Sequence, residues 1–376
     1  MKIVFTGGGT AGHIFPILAV AREIRKIYPG EDLQFFYIGP RDQFSEKLFN
    51  EEGFIVKTIL AGKIRRYFGI TPFFQNIVDI FFKIPIGFFQ AFFYVYLISP
   101  DLIFSKGGYG SFSVVLSGWM ILTPIFLHES DVVPGLTNRL MGRLALEIFV
   151  SFPMEKTLHF ASKKMISVGN PVRSEILKGD KALAKSLFNL TGEKPVILIL
   201  GGSQGSQRIN DVIMSVLTEI LQSFEIIHQV GKNNFKQIEA EVKAVIKSDL
   251  QKYYHPWPFL NQEEIKNALA VTNLIISRAG SGTIFEIAAA GKPSILIPLP
   301  EAAQNHQLKN AYVYAESGAA LVIEEANLTP HFFLERLKYL FYESGDLKYM
   351  ADCAKNFARP EAGKIMARYL VDYLLQ

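Results

Sequence analysis

The side chains with the clearest chemical potential lie in one stretch, 277–307, SRAGSGTIFEIAAAGKPSILIPLPEAAQNHQ. Leu274-Ile275-Ile276 ahead of it reads as a short buried strand. The turn Arg278-Ala279-Gly280-Ser281-Gly282-Thr283 follows, and then a helix from about Ile284 to Ala290. Gly291 and Pro293 close that helix, and Ser294 to Ile297 reads as the next buried strand. Backbone N–H groups at such a turn have no helical partner and point outward, so the turn is suited to an anion. Glu286 is expected in the first turn of the helix, where a carboxylate can accept from both vicinal hydroxyls of a ribose. Phosphate on the turn and ribose on the acid together describe a nucleotide. An acid in a first turn also serves simply to complement the helix dipole, so the turn alone leaves both readings open. The spacing disfavours NAD. Its GxGxxG fingerprint needs a third glycine where Phe285 stands, and an acid about twenty residues later.

These residues require strands and helices to hold them, and the chain supplies the same unit more than once. Lys2 to Thr6 is a strand-like run followed by Gly7-Gly8-Gly9-Thr10-Ala11-Gly12-His13. Pro16 suits the first position of a helix running to about Arg25. Glycines at 7, 8, 9 and 12 let a ligand or another segment approach the backbone. His13 would close the loop and project into the crevice at the carboxyl ends of the strands, where open α/β sheets bind ligands. Capping the helix or bonding a nearby carbonyl is its plainer role. Val196 to Leu200, the loop Gly201 to Ser206 and a helix from about Arg208 repeat the pattern. A third glycine turn, Lys106 to Ser111, follows the strand Asp101 to Phe104. His128-Glu129-Ser130-Asp131 tips the strand Ile125 to Leu127, where Glu129 and Asp131 would cap the next helix or bind sugar hydroxyls. The chain therefore reads as two α/β halves, 1–168 and 169–356. Gly169 to Arg173 is the linker, placing Arg173 where it reaches a phosphate. A last helix, about 357–376, crosses back to the first half.

Composition narrows the class. The 376 residues suffice for two cores, and 49% hydrophobic content excludes disorder. The single cysteine, Cys353, excludes an internal disulfide and points to a reducing compartment. Met1 leads straight into a strand, so no signal peptide is expected. A formal charge of +4 is too small to indicate nucleic acid. No repeat, CxxC pair, acid–histidine metal cluster or GxxxxGK[ST] loop occurs, so neither a metal site nor a triphosphate P-loop is expected. The charge is unevenly placed. Residues 1–168 carry 17 Lys and Arg against 13 Asp and Glu, and the remainder carries 22 of each.

Residues 63–98 have the most unusual composition. Nine of the 31 phenylalanines fall between Phe68 and Phe93. Doubled aromatics at Phe73-Phe74 and Phe81-Phe82, beside Lys63, Arg65, Arg66 and Lys83, make an apolar helical face wider than a core needs. Ile84 to Ile98 is interrupted by Gln90, holds Pro85 and Gly87, and is shorter than the ~18 residues of a spanning helix. The expectation is two helices. Phe73 to Phe82 would lie in the headgroup region of an anionic membrane, and Phe88 to Leu97 would cover the sheet.

Six motifs in one order, GGGTAGHIFP at 7–16, KGGYGS at 106–111, HESD with PGLTN at 128–138, GNPVR at 169–173, GGSQGS at 201–206 and the stretch 277–307, closely resemble the MurG family of peptidoglycan N-acetylglucosaminyltransferases. The resemblance covers essentially the whole chain. It implies an α/β fold of GT-B architecture, with two Rossmann-like domains whose parallel sheets face across a cleft. It implies transfer of N-acetylglucosamine from its UDP donor to the muramyl 4-hydroxyl of undecaprenyl-linked lipid I, giving lipid II with inversion. No metal or other cofactor is required. The work is done on the cytoplasmic face of the inner membrane, with cell-wall synthesis proteins as possible partners and no nucleic acid.

By the same resemblance Glu286 holds the ribose. Ser281, Gly282, Thr283 and Ser203 surround the diphosphate, with Gln204, Ile284 and Phe285 lining the same turns. Arg173 adds positive charge, Leu260 meets the uracil through its backbone, and Gln307 contacts the transferred sugar. Thr10, Ala11 and Gly12 line the sugar site from the other domain, and His13 is the candidate base for the acceptor hydroxyl. Phe73, Phe74, Phe81, Phe82, Lys83 and Trp119 form the membrane patch. Asp131 stands where many relatives have an asparagine contacting the sugar, and His306 replaces a glutamine of some relatives. A related enzyme glycosylating diacylglycerol would share the donor half and the patch, but the SQGS and HESD–PGLTN motifs favour the muramyl enzyme. A dinucleotide-dependent oxidoreductase lacks its third glycine. A non-catalytic nucleotide-sugar sensor would bind UDP without turnover.

Overall fold

Short runs rich in Ile, Val, Leu and Phe make parallel strands, the central ones covered on both faces. In the first half these are β1 (Lys2–Thr6), β2 (Gln34–Pro40), β3 (Ile55–Ile59), β4 (Leu102–Ser105), β5 (Ile125–Glu129), β6 (Glu147–Val150) and β7 (Met165–Ser167). They form one sheet in the order β3-β2-β1-β4-β5-β6-β7, every pair parallel. The computed structural model describes every residue except 9, 10, 64, 66–68, 158, 203, 344 and 345 and the side chains of 11, 174 and 343. Thr10, Ser203, Arg66, Phe68 and the side chain of Ala11 thus lie outside the described residues.

Alternation along β1 sorts the core into two layers. Ile3 and Phe5 point to one face, among side chains of the helices Ala11–Ile27 and Ala362–Leu374. Val4 points to the other, with Ala91, Val95 and Ile98 of the long helix described below and Val114 and Val115 of the helix Phe112–Met120. The chain divides into a unit of Met1–Val172 with Arg359–Gln376 and a unit of Arg173–Ala358. The division falls at Arg173, a few residues past the linker start expected from sequence. The second unit has β8 (Val196–Leu200), β9 (Glu225–Gln229), β10 (Tyr254–Trp257), β11 (Leu274–Ser277), β12 (Ser294–Leu296) and β13 (Ala320–Val322). Their order is β10-β9-β8-β11-β12-β13, again parallel throughout.

Two helix starts differ from expectation, and both bear on function. The first helix begins at Ala11, so Pro16 sits inside it, without an N–H for the Gly12 carbonyl, and His13 lies in its first turn. The helix after β11 begins at Ser281, so Glu286 falls in the second turn, and no acid stands in the first. The dipole-complementing role for Glu286 is thereby removed.

The largest difference lies in residues 70–98. Instead of two helices, one continuous helix runs Ile70–Ile98, its α-helical parts Ile70–Val78 and Ile84–Ile98 joined by a π-helical turn at Asp79–Lys83. Its 29 residues are long and apolar enough to cross a membrane by length and composition, and only 17% of its most apolar window is buried. The polar side chains of the inner stripe explain why the chain stays helical through Pro85. Asn76 exchanges hydrogen bonds with the Arg65 backbone at 2.9 and 2.8 Å. Asp79, buried, pairs with Arg65 at 2.7 Å and Lys83 at 2.6 Å, and Gln90 accepts from the Leu60 N–H at 2.8 Å. A Cβ on Gly87 would run into the Leu60 carbonyl, so glycine alone permits this approach. With the polar groups turned inward, the outer face is left to Phe73, Phe74, Phe81, Phe82, Phe89 and Phe93, each more than half exposed. The exposed stripe therefore continues past Phe82, along the part expected to cover the sheet. On the helix Phe112–Met120, which packs beside it, Trp119 and Met120 are also exposed.

Candidate functional site

In an open parallel sheet the crevice opens where strand order reverses, between the carboxyl ends of two neighbouring strands. That point is β8/β11 in the second unit and β1/β4 in the first.

At β8/β11 the helix Ser281–Ala289 starts with Gly280 as N-cap, and no side chain caps it. Its first hydrogen bond is Ile284 N–H to the Gly280 carbonyl at 3.0 Å. The amides of Ser281, Gly282 and Thr283 accordingly have no intrahelical acceptor and form the positive end of the helix. Gly282 is exposed, with nothing within 4 Å of where a Cβ would stand. Ile284 and Phe285, expected to line the turn, are instead core residues, and Phe285 packs on Phe357 at 5.4 Å between ring centroids. Their amides are spent in the helix, so they offer a ligand nothing directly.

Glu286 is half-buried one turn later. Its Oε1 accepts from Arg173 at 2.8 Å (Nη2) and 3.2 Å (Nε). Arg173 was expected to reach a phosphate. Here it pairs with the carboxylate expected to hold the ribose.

Side chains that sequence reasoning passed over fix the surrounding loops. Arg278 gathers the ends of β8, β11 and β12: it donates to Ser206 Oγ at 2.6 Å and the Ile297 carbonyl at 3.2 Å, and pairs with Glu325 at 2.5 Å. Gln229, at the end of β9, donates to the Gly202 carbonyl at 2.7 Å and accepts the Leu260 N–H at 3.0 Å. One amide side chain thus ties the glycine loop to the segment expected to meet the uracil, and it occupies the Leu260 amide. Gln204 is exposed on the glycine loop. Gln307 accepts the Leu299 N–H at 3.1 Å, just after Gln304 and Asn305 take up left-handed backbone at φ 58° and 55°.

At β1/β4 the two glycine turns touch. A Cβ on Gly108 would lie 3.0 Å from the Gly8 backbone and 3.2 Å from His13 Nε2, so both turns need glycine to bring the imidazole this close. Gly12 is exposed and has open space beside it. The half-buried His13 is held well below the ordinary histidine range, at about 4, first by desolvation and then by the positive charge of Lys106; Asp131 opposes the shift. Its imidazole is therefore neutral at physiological pH and available as a proton acceptor. Lys106, whose turn drew notice only for its glycines, is buried and donates to Ser130 Oγ at 2.9 Å. Glu129 neither caps a helix nor faces a sugar freely. It is buried, accepting the Asp131 N–H at 2.9 Å and Asn138 Nδ2 at 2.9 Å. Burial raises its pKa to about 7, with Asp131 adding to the rise and Lys106 opposing it.

The expected site residues thus fall into two sets. Arg173, Gln204, Leu260, Ser281, Gly282, Thr283, Glu286 and Gln307 belong to the second unit, and Gly12, His13 and Asp131 to the first. Among the described residues no group of three or more His, Cys, Asp or Glu side chains is arranged to hold a metal ion.

The Glycosyltransferase family 28 N-terminal domain matches residues 3–150, and the Glycosyltransferase family 28 C-terminal domain matches 196–365. The chain is 36% identical over 344 residues to the UDP-N-acetylglucosamine–N-acetylmuramyl-(pentapeptide) pyrophosphoryl-undecaprenol N-acetylglucosamine transferase 2 of Bacillus anthracis, covering 91% of this chain and 92% of that protein. The crystal structure of Acinetobacter baumannii MurG superposes with a TM-score of 0.75 at 25% identity over 99% of each chain. A UDP-GlcNAc 2-epimerase from Neisseria meningitidis has the same fold, with a TM-score of 0.66 at 15% identity over 99% of this chain and 100% of that one. The fold alone therefore does not select a reaction, and the identity running through both units does.

Proposed function

The chain belongs to the family of UDP-N-acetylglucosamine–N-acetylmuramyl-(pentapeptide) pyrophosphoryl-undecaprenol N-acetylglucosamine transferases, a GT-B glycosyltransferase family, and from that membership we infer that it moves N-acetylglucosamine from UDP to the muramyl 4-hydroxyl of lipid I, yielding lipid II. The observation that carries the inference is the 36% identity spread over nine-tenths of the chain. The diacylglycerol alternative is not favoured by it.

The second unit holds the donor. The diphosphate takes the amides of Ser281, Gly282 and Thr283, the ribose hydroxyls take Glu286, and Arg173, displaced from Glu286, turns to the phosphates. As the bond from the anomeric carbon to the diphosphate breaks, negative charge grows on UDP, and the helix N-terminus and Arg173 stabilise it where it develops. These groups let the leaving group depart without a metal ion. From the first unit, neutral His13 accepts the proton of the 4-hydroxyl as that oxygen attacks the opposite face of the anomeric carbon, so the configuration inverts. The test is a transfer assay with labelled UDP-N-acetylglucosamine and a lipid I analogue. Label appearing in the disaccharide-bearing lipid supports the reading. Label appearing only in a diacylglycerol acceptor, or UDP binding without turnover, refutes it.

The acceptor's lipid carrier requires the enzyme to work at a membrane surface. The exposed stripe from Phe73 to Phe93, with exposed Lys63 and partly exposed Lys83 beside it and Trp119 on the neighbouring helix, supports docking on the anionic cytoplasmic face. Moving one such ring out of water is worth about 1.5–3 kcal/mol. Replacing both Phe74 and Phe81 with glutamate is expected to reduce binding to anionic vesicles by about a hundredfold or more, with the circular dichroism spectrum unchanged. Unaltered co-sedimentation of the double variant would refute docking through this face.

A further inference from the structure

We propose that Lys106 is a positioning residue for the transfer: its buried ammonium, anchored on Ser130, is the counter-charge that keeps the tip of β5 folded against His13. The proposal rests on the reading of His13 as proton acceptor.

The ends of β1, β4 and β5, neighbours in the sheet, meet at the crevice of the first unit. From β4 comes Lys106, only 2% exposed, with Nζ 2.9 Å from Ser130 Oγ. From β5 comes Glu129, 3% exposed, which holds the amide of Asp131 with one oxygen and Asn138 Nδ2 with the other, each at 2.9 Å. Asn138 packs so closely over Gly107 that a Cβ there would collide with its amide group. Gly108, the next residue, lies against Gly8 and His13. The contacts close a ring: Lys106 to Ser130, Ser130 by the chain to Glu129, Glu129 to Asn138, Asn138 to Gly107, and Gly107 by the chain back to Lys106. His13 rests on its edge.

Two carboxylates, Glu129 and Asp131, stand two residues apart at this tip, and one of them is out of water. Desolvation and mutual repulsion both drive Glu129 towards its neutral form, and Lys106 is the positive charge that opposes them. Besides burial, the groups acting on His13 are Lys106, just past the end of β4, and Asp131 at the β5 tip, and His13 in turn helps to depress the buried His128 of β5. Burial is the first cause of the neutral imidazole, Lys106 adds to it and Asp131 pulls the other way. One ammonium therefore does two things that agree in sign. It favours the ionised form of Glu129, which holds the tip, and the neutral form of His13, the form that accepts a proton.

Lys106→Met keeps the length of the side chain and removes the charge. Both His13 and Glu129 then bind protons more readily. The His13 imidazole, followed in the free full-length protein by NMR and assigned by the loss of its signal in His13→Gln, is expected to titrate about one pH unit higher or more. The acid limb of the turnover profile moves upward with it, whether His13 or Glu129 carries that limb, while UDP affinity stays unchanged. If Lys106→Met alone does not fold, the pair Lys106→Met with Glu129→Gln removes both charges together. It is then expected to fold and still show the raised His13 titration. A His13 titration and an acid limb both unmoved, with turnover lowered equally at every pH, would show Lys106 to be a structural residue only and overturn the proposal. Full turnover in His13→Gln would instead refute the proton-acceptor reading, while leaving the Lys106 effect on the imidazole still measurable.

Discussion

Replacing His13 by alanine is expected to lower turnover by about 10²–10⁴-fold, the range lost when a positioned acid–base group is removed. UDP-N-acetylglucosamine affinity, set in the other unit, is expected to change by much less. The expectation has a pH signature. With the imidazole held at about 4 by burial and Lys106, the base is already neutral through the physiological range. Acidifying towards 6 therefore removes little activity through His13 itself, and any limb near 7 belongs to Glu129, whose buried carboxyl titrates there. Measuring turnover and donor affinity side by side for His13→Ala checks the claim. Equal losses in both would mean that His13 binds the donor and does not take the proton.

The second large effect is expected at Glu286. Glu286→Ala removes a charged acceptor from the ribose, a loss worth about 1.5–3 kcal/mol, or roughly 10–150-fold in donor affinity. The pairing with Arg173 at 2.8 Å makes a sharper distinction possible. In the free protein the two neutralise one another, so a nucleotide must separate them. Arg173→Met is then expected to weaken UDP, which loses a positive charge, but not uridine, which has no phosphate and finds Glu286 already released. Glu286→Ala is expected to weaken both ligands. Titration calorimetry of the two variants with UDP and with uridine gives four numbers. Uridine binding lost in Arg173→Met would show that the arginine holds the ribose side, against this assignment.

Much of this was legible in the chain, for physical reasons that also mark where legibility ended. Strands buried on both faces leave continuous apolar runs, and glycine turns between strand and helix mark the carboxyl ends where ligands bind. The paired-sheet architecture and the turns at Gly7, Gly107, Gly201 and Gly280 could therefore be read directly. Helix starts were less legible. Pro16 reads as a first-turn residue, yet the helix begins at Ala11, because glycine and alanine ahead of it permit an earlier start and Pro16 forgoes only the bond to Gly12. Glu286 was assigned to the wrong turn for a similar reason: Ser281 and Gly282, which look like loop, are already helical. The 70–98 segment was read as two helices because Pro85 and Gly87 normally interrupt one. A π-helical turn at Asp79–Lys83 and the clamp of Asn76, Asp79 and Gln90 onto the segment before it carry the helix through. Lys106, Gln229 and Arg278 were missed because they act through distant partners. A lysine closing a buried strand is the one local sign that Lys106 gives.

The most direct test of the central claim, that the turn at Ser281 and the acid at Glu286 grip the donor, is a crystal structure of the protein with UDP-N-acetylglucosamine. The expected result has the diphosphate on the amides of Ser281, Gly282 and Thr283, both ribose hydroxyls on Glu286, and Arg173 withdrawn from that carboxylate to the phosphates. A nucleotide bound elsewhere, with the Arg173–Glu286 pair intact, would contradict it.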